Sequence, residues 1–82
     1  MINNNMKVEI WSKPECPYCD MAKAVCEQKG FDYTYKMLFE DFTKEELMEK
    51  FPTARTFPQI VVDGTSIGGF TEFKTLVDKQ DK

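Results

Sequence analysis

Two cysteines three positions apart are the residues of this chain best suited to chemistry. Cys16-Pro17-Tyr18-Cys19 follows Trp11-Ser12-Lys13-Pro14-Glu15, so that a short apolar strand runs into a C-x-x-C motif that opens a helix. Such a pair can close a small disulfide ring, and the motif reads as a redox site. Cys16 falls at the predicted helix N-terminus, where unpaired backbone N–H groups and the helix dipole favour thiolate over thiol. In that setting a cysteine pKa commonly drops from about 8.5 toward about 3.5 to 7.5. Pro17 suits the first helical position, because its missing N–H would have had no partner there and its φ is already helical. Lys13, three residues upstream, adds a positive charge near the thiolate in this reading; its bland alternative is a solvated lysine.

Composition removes several other chemistries. The chain has 82 residues, 41% of them apolar and 13% aromatic, which suits one domain with a modest core spanning residues 1–82 and frayed only at 1–5 and 79–82. A net charge of −3 argues against nucleic acid or an anionic membrane as the main partner, since either would want clustered Lys and Arg. There is no histidine, so no Cys-His or Ser-His dyad and no imidazole metal ligand is available. Structural zinc wants four ligands, and only Cys16, Cys19 and Cys26 are on offer, so no metal site is expected. Cys26 falls on the apolar side of the first predicted helix and reads as packing. The acidic pairs Glu40-Asp41 and Glu45-Glu46 read as solvated surface.

No apolar run approaches the roughly 18 residues that span a bilayer, and Met1-Ile2-Asn3-Asn4-Asn5-Met6 lacks a signal-peptide core. Three cysteines, an odd number, do not suggest a secreted disulfide framework. The expected setting is cytoplasmic.

The elements that must position the cysteines can be read in order. Lys7 to Trp11 alternates, with Val8 and Ile10 on one face, and predicts a strand; Pro17 to Lys29 predicts a helix with Met21, Ala22, Val25 and Cys26 on its apolar side, closed by Gly30. Phe31, Tyr33 and Tyr35 alternate as a second strand with one buried face, which makes a βαβ unit with parallel strands. Met37 to Phe42 reads as a loop. Thr43-Lys44-Glu45-Glu46 has the spacing of a capping box, with Leu47, Met48 and Phe51 as the apolar side and Pro52 as the stop. Gln59 to Val62 is a strand, Asp63-Gly64 a two-residue hairpin turn, and Thr65 to Ile67 the returning strand. Thr71 caps a last helix in this reading, with Phe73, Leu76 and Val77 facing the core and Asp78 to Lys82 as a solvated tail. Trp11 is expected to pack close to the site.

The order β-α-β-α-β-β-α with a C-x-x-C after the first strand is that of the thioredoxin fold, an α/β four-stranded mixed sheet flanked by three helices. At this point the sequence resembles the glutaredoxin family, in particular its small bacterial and phage-type dithiol members. The resemblance runs from Lys7 onward and rests on Cys16-Pro17-Tyr18-Cys19, Thr56-Phe57-Pro58-Gln59-Ile60 and Ile67-Gly68-Gly69-Phe70-Thr71-Glu72, in the family's order and spacing.

The resemblance implies a glutathione-dependent thiol-disulfide oxidoreductase in which Cys16 is the nucleophile and Cys19 resolves the mixed disulfide. No tightly bound cofactor is implied, glutathione being the reductant. Disulfide-containing or glutathionylated proteins are the implied partners of a monomer, with ribonucleotide reductase among the candidates. It also implies a cis Pro58 facing the cysteines, the Phe57 backbone pairing with the cysteinyl part of glutathione with Thr56 beside it, and Lys13 reaching the glycine carboxylate. Gly68, Gly69, Phe70, Thr71 and Glu72 sit where the family grips the γ-glutamyl end, Thr71 taking its carboxylate and Glu72 its amine, and Tyr18 lines the groove. Phe57 stands where the family usually has Val, and Glu72 where it usually has Asp; Glu72 read without the resemblance is a residue complementing the helix dipole. Two competing readings share the thiols: a thioredoxin-like reductant recharged by a flavoprotein reductase, and a glutathione-assisted iron–sulfur module bridging two chains.

Overall fold

The computed structural model describes residues 6–80 except positions 53 and 55. Strand β1 (Lys7–Ser12) and strand β2 (Asp32–Met37) are parallel neighbours in the sheet joined through the crossover helix α1 (Pro17–Lys29), with Lys7 opposite Asp32 and Ser12 opposite Met37. Helix α2 (Lys44–Lys50) leads to β3 (Gln59–Val62), which runs antiparallel to β1, and β4 (Thr65–Gly68) returns along β3 before helix α3 (Phe70–Gln80). The sheet order is β2-β1-β3-β4. This is the thioredoxin fold expected from the sequence.

The two central strands are covered on both faces, and their residues divide accordingly. Val8, Ile10, Ile60 and Val62 pack with Ala22 and Cys26 of α1 and Phe73 and Val77 of α3. On the other face Trp11 and Val61 pack with Leu47 of α2, Phe42 and Phe51. All four residues of β3 are buried, which is why that strand reads as a continuous apolar run instead of alternating. Trp11 is a packing residue, 4.7 Å from the Phe42 ring and 5.4 Å from Phe51, with its Nε1–H donating to Glu9 Oε1 at 3.1 Å.

Local signals account for most element ends. Cys16 is the N-cap of α1, and Gly30 at φ 74° closes that helix by donating its N–H to the Cys26 carbonyl. The Thr43 capping box is complete, with Glu46 N–H on Thr43 Oγ1 at 3.1 Å and Thr43 N–H on Glu46 Oε1 at 2.8 Å. Asp63 and Gly64, both at positive φ, form the expected turn, with Val62 paired to Thr65.

Four expectations need correction. Met21 and Met48 are exposed, at 46% and 42%, because the buried stripe of α1 is Cys19, Ala22 and Cys26 and that of the seven-residue α2 is Leu47 alone. Phe31 is buried but precedes β2, whose Tyr33 and Tyr35 are only half-buried; on this edge strand their hydroxyls donate to Glu27 and Asp20 of α1, at 2.8 and 3.4 Å. Thr71 does not cap α3: the helix begins at Phe70, and the Gly69 carbonyl accepts its first N–H, from Phe73, at 3.1 Å. Asp78, Lys79 and Gln80 belong to α3 instead of to a tail, while the ends expected to fray at 1–5, and positions 81 and 82, fall outside the described residues. Among the described residues no helix is long and apolar enough to cross a membrane.

Candidate functional site

Ser12 fixes the end of β1 from which the site emerges. It is fully buried, its hydroxyl donates to the Lys36 carbonyl at 2.6 Å, and its own carbonyl accepts the Leu38 N–H at 2.9 Å. The exposed residues Lys13 to Glu15 then turn the chain, with Glu15 at φ 56°, into Cys16. Cys16 and Cys19 are joined by a disulfide across the first turn of α1, with Cα atoms 5.2 Å apart. The Cys19 N–H donates to Cys16 Sγ at 3.2 Å, so the first cysteine serves as its own helix cap. Cys19 is completely buried and Cys16 keeps 7% of its surface. Of the two cysteines, Cys16 is therefore the more accessible from outside.

A groove of about 750 Å³ lies next to this turn. Tyr18 of α1 forms one wall, 59% exposed, with its ring 5.9 Å from that of Phe70. Thr56, Phe57 and Pro58 form a second, and the Phe57–Pro58 peptide is cis. The junction of β4 with α3 supplies the third wall through Gly69, Phe70, Thr71 and Glu72. Apart from Lys13, the residues expected around glutathione therefore share one groove; Lys13, exposed in the loop before Cys16, is not among the residues lining it. The ring of Phe57, larger than the usual Val, is partly buried against the cluster of Trp11, Phe42 and Phe51, which takes it up on the α2 face.

Glu72 has a local role. Its Oε1 accepts the Gly69 N–H at 3.0 Å, the return half of a capping box, which is a more specific local role than complementing the helix dipole. Gly68, at φ 111°, makes room for it: a Cβ there would stand 3.2 Å from Glu72 Cγ, Cδ and Oε1. The far end of the groove thus combines a carboxylate with the N-terminus of an eleven-residue helix, whose first-turn N–H groups favour a bound anion.

Sequence reasoning passed over Gln59. It is a buried polar residue, 8% exposed, whose Nε2–H donates to the Thr56 carbonyl at 2.6 Å and so ties the start of the Thr56-Phe57-Pro58 wall to β3. A glutamine opening an otherwise apolar central strand was the available signal, since such a group is buried only when it is hydrogen-bonded. Cys26 is buried, as expected of a packing cysteine; burial first, and the neighbouring Glu27 second, push its thiol up to about 12.

A disulfide that closes at a helix N-terminus beside an open groove can exchange with other thiols and disulfides, and comparison with known proteins points the same way. The glutaredoxin family model matches residues 8–67. A glutaredoxin of Haemophilus influenzae is 42% identical over 92% of this chain and 94% of its own length, and glutaredoxin 3 of Escherichia coli is 38% identical over 84% and 83%. The solved structure of reduced Escherichia coli glutaredoxin covers 89% of this chain and 94% of its own, at 36% identity and a TM-score of 0.68. With most of its length matched by the family model and relatives this similar almost end to end, the chain belongs to the glutaredoxin family, whose members are thiol-disulfide oxidoreductases.

Proposed function

We propose that this protein reduces protein disulfides and glutathione mixed disulfides, with glutathione as its reductant. The observation that carries the reading is the placement of the Cys16–Cys19 turn beside a groove walled by Tyr18, the Phe57–Pro58 segment and the N-terminus of α3. Its volume lies within the roughly 300 to 1,000 Å³ usual for small-molecule sites. In this reading the Phe57 backbone meets the cysteinyl part of glutathione with Thr56 beside it. Gly69, Phe70, Thr71 and Glu72 hold the γ-glutamyl end, and Lys13 approaches the glycine carboxylate from the loop.

The chemistry is thiol–disulfide exchange. In the reduced protein the Cys16 thiolate attacks one sulfur of the substrate disulfide; a new S–S bond forms at Cys16 and the other substrate sulfur leaves as a thiolate. The Cys19 sulfur then attacks Cys16 Sγ, releases the second substrate thiol and leaves the Cys16–Cys19 disulfide. Two electrons have passed to the substrate. Two glutathione molecules return them, the first forming a mixed disulfide at Cys16 and the second releasing oxidised glutathione. The helix N-terminus supports every thiolate formed at Cys16 without needing a general base, in keeping with a chain that has no histidine. The reading extends to a cytoplasmic, monomeric protein with ribonucleotide reductase as a candidate substrate.

The test is reduction of a small mixed disulfide coupled to glutathione reductase and NADPH. Activity lost in Cys16→Ser and at least partly kept in Cys19→Ser is the expected result. No turnover by the intact protein would rule glutathione out and point to a flavoprotein reductase as electron source.

A further inference from the structure

Phe39 is the most exposed large apolar residue among those described, at 75%, and it sits at φ 72°. A lone exposed phenylalanine needs no explanation by itself. Its backbone does, because a bulky residue in the left-handed region is disfavoured and persists only where the surroundings impose it. Here they do. Phe39 N–H donates to the Phe42 carbonyl at 2.7 Å, Asp41 N–H to the Met37 carbonyl at 2.8 Å, and Met37 N–H to Asp41 Oδ2 at 2.8 Å. Phe42 in turn is anchored against Trp11. The loop is built to hold that ring in solvent.

The ring is held at the redox end of the sheet. β1 and β2 are parallel, so Ser12, which leads to Cys16, and Met37, which leads to Phe39, end side by side, and the Leu38 N–H donates to the Ser12 carbonyl. Chain geometry places the Phe39 and Cys16 Cα atoms within about 23 Å of each other. A protein partner covers roughly 800 Å², about 30 Å across, so a single footprint is wide enough to take in both Cys16 and Phe39. A tripeptide in the groove does not, since Phe39 is not among the residues lining it. The neighbours of Phe39 on its C-terminal side are Glu40 and Asp41, both exposed.

We infer that Phe39 is a specificity-determining contact for polypeptide disulfides, taking partners whose reactive cysteine is flanked by apolar and basic residues. This rests on the redox reading above, but its test does not depend on glutathione. Protein pre-reduced with dithiothreitol and freed of it is mixed in single turnover with two synthetic disulfide peptides of the same cysteine spacing, each extending about seven residues or more beyond its cysteines, one carrying Leu and Lys along that extension and the other Ser and Asp. Each turnover moves two electrons from Cys16 and Cys19 to the peptide, which gains two thiols. The intact protein is expected to reduce the Leu/Lys peptide faster, by about fivefold or more, the usual scale for a buried aromatic anchor. Phe39→Asn, which tolerates the left-handed backbone, should abolish that preference, and Phe39→Tyr should restore it. Reduction of hydroxyethyl disulfide should be the same in all three proteins. No preference in the intact protein, a preference that survives Phe39→Asn, or an equal slowing toward all three substrates would each overturn the inference.

Discussion

The Cys19 N–H points at Cys16 Sγ from 3.2 Å, so one backbone group marks the first cysteine as the end of the helix at which negative charge is favoured. Cys19 contributes its amide to that arrangement while its own sulfur is fully buried. The reduced protein is therefore expected to alkylate at Cys16 first: iodoacetamide at pH 6, followed by peptide mapping, should label Cys16 well ahead of Cys19 and Cys26. Equal labelling of Cys16 and Cys19 would show that the cap does not discriminate between them.

Cys26 offers the opposite case. Burial chiefly, with Glu27 adding to it, raises this thiol from the ordinary 9.0 to about 12, so the folded chain holds its proton where the unfolded chain loses it. The stability tied to that proton is complete below about pH 9 and is lost as pH rises toward 12. In the oxidised protein, where Cys16 and Cys19 do not titrate, the urea midpoint of the wild type should fall further between pH 8 and 10.5 than that of Cys26→Ala. Tyr33 is also raised, first through its hydrogen bond to Glu27 and last through the charge on Cys26, so the comparison contains the part of the Tyr33 shift that Cys26 itself supplies, which has the same sign. Equal falls would mean that Cys26 ionises alike in the folded and unfolded chains.

How far the sequence could be read depended on whether a feature was written locally. The C-x-x-C, the Thr43 capping box, Gly30 and the Asp63-Gly64 turn each carry their cause within a few residues, and each lies where the spacing placed it. The resemblance supplied the groove, because nothing in Thr56-Phe57-Pro58 alone says that Tyr18 and Glu72 stand beside it. Misread positions depended on contacts that residue type alone does not announce. Met21 and Met48 look apolar enough for a helix face, but only the sheet decides where the stripe lies. Thr71 is a good cap by residue type, yet Glu72 already serves Gly69 one turn earlier. Gln59 and Phe39 escaped for the same reason: the first is explained by a carbonyl three residues back and the second by a loop closed onto Phe42.

Gly68 should be intolerant of any side chain. Its φ of 111° is one that L residues rarely adopt, and a Cβ would press on the Glu72 side chain at 3.2 Å, pushing it off the Gly69 N–H. Gly68→Ala is expected to lose about 1 to 3 kcal/mol of stability in urea titration and to weaken glutathione use at the same time. A variant as stable as the parent would show that the β4–α3 junction relaxes freely.

Gln59→Ala should separate groove order from overall fold. Removing Nε2 leaves the Thr56 carbonyl without that donor and creates a small void, together worth about 1 to 3 kcal/mol. The expected kinetic sign is a raised KM for the glutathione mixed disulfide with kcat largely kept, because the cysteines are positioned by Ser12 and α1 and not by this bond. A fall in kcat at constant KM would place Gln59 in the chemistry of the sulfurs.

Glu72 carries two roles that a pair of substitutions can pull apart. As a capping residue it needs only an acceptor for the Gly69 N–H, which Glu72→Gln retains and Glu72→Ala removes. As a ligand for the γ-glutamyl amine it needs its charge, which both substitutions remove. If both roles hold, Glu72→Gln keeps stability close to the wild type, Glu72→Ala loses about 1 kcal/mol, and both raise the KM for the mixed disulfide. The charge contribution should shrink as salt is added, since Glu72 is exposed. A Glu72→Gln protein with unchanged KM at low salt would assign the residue to capping alone and leave the γ-glutamyl end to the backbone at Gly69, Phe70 and Thr71.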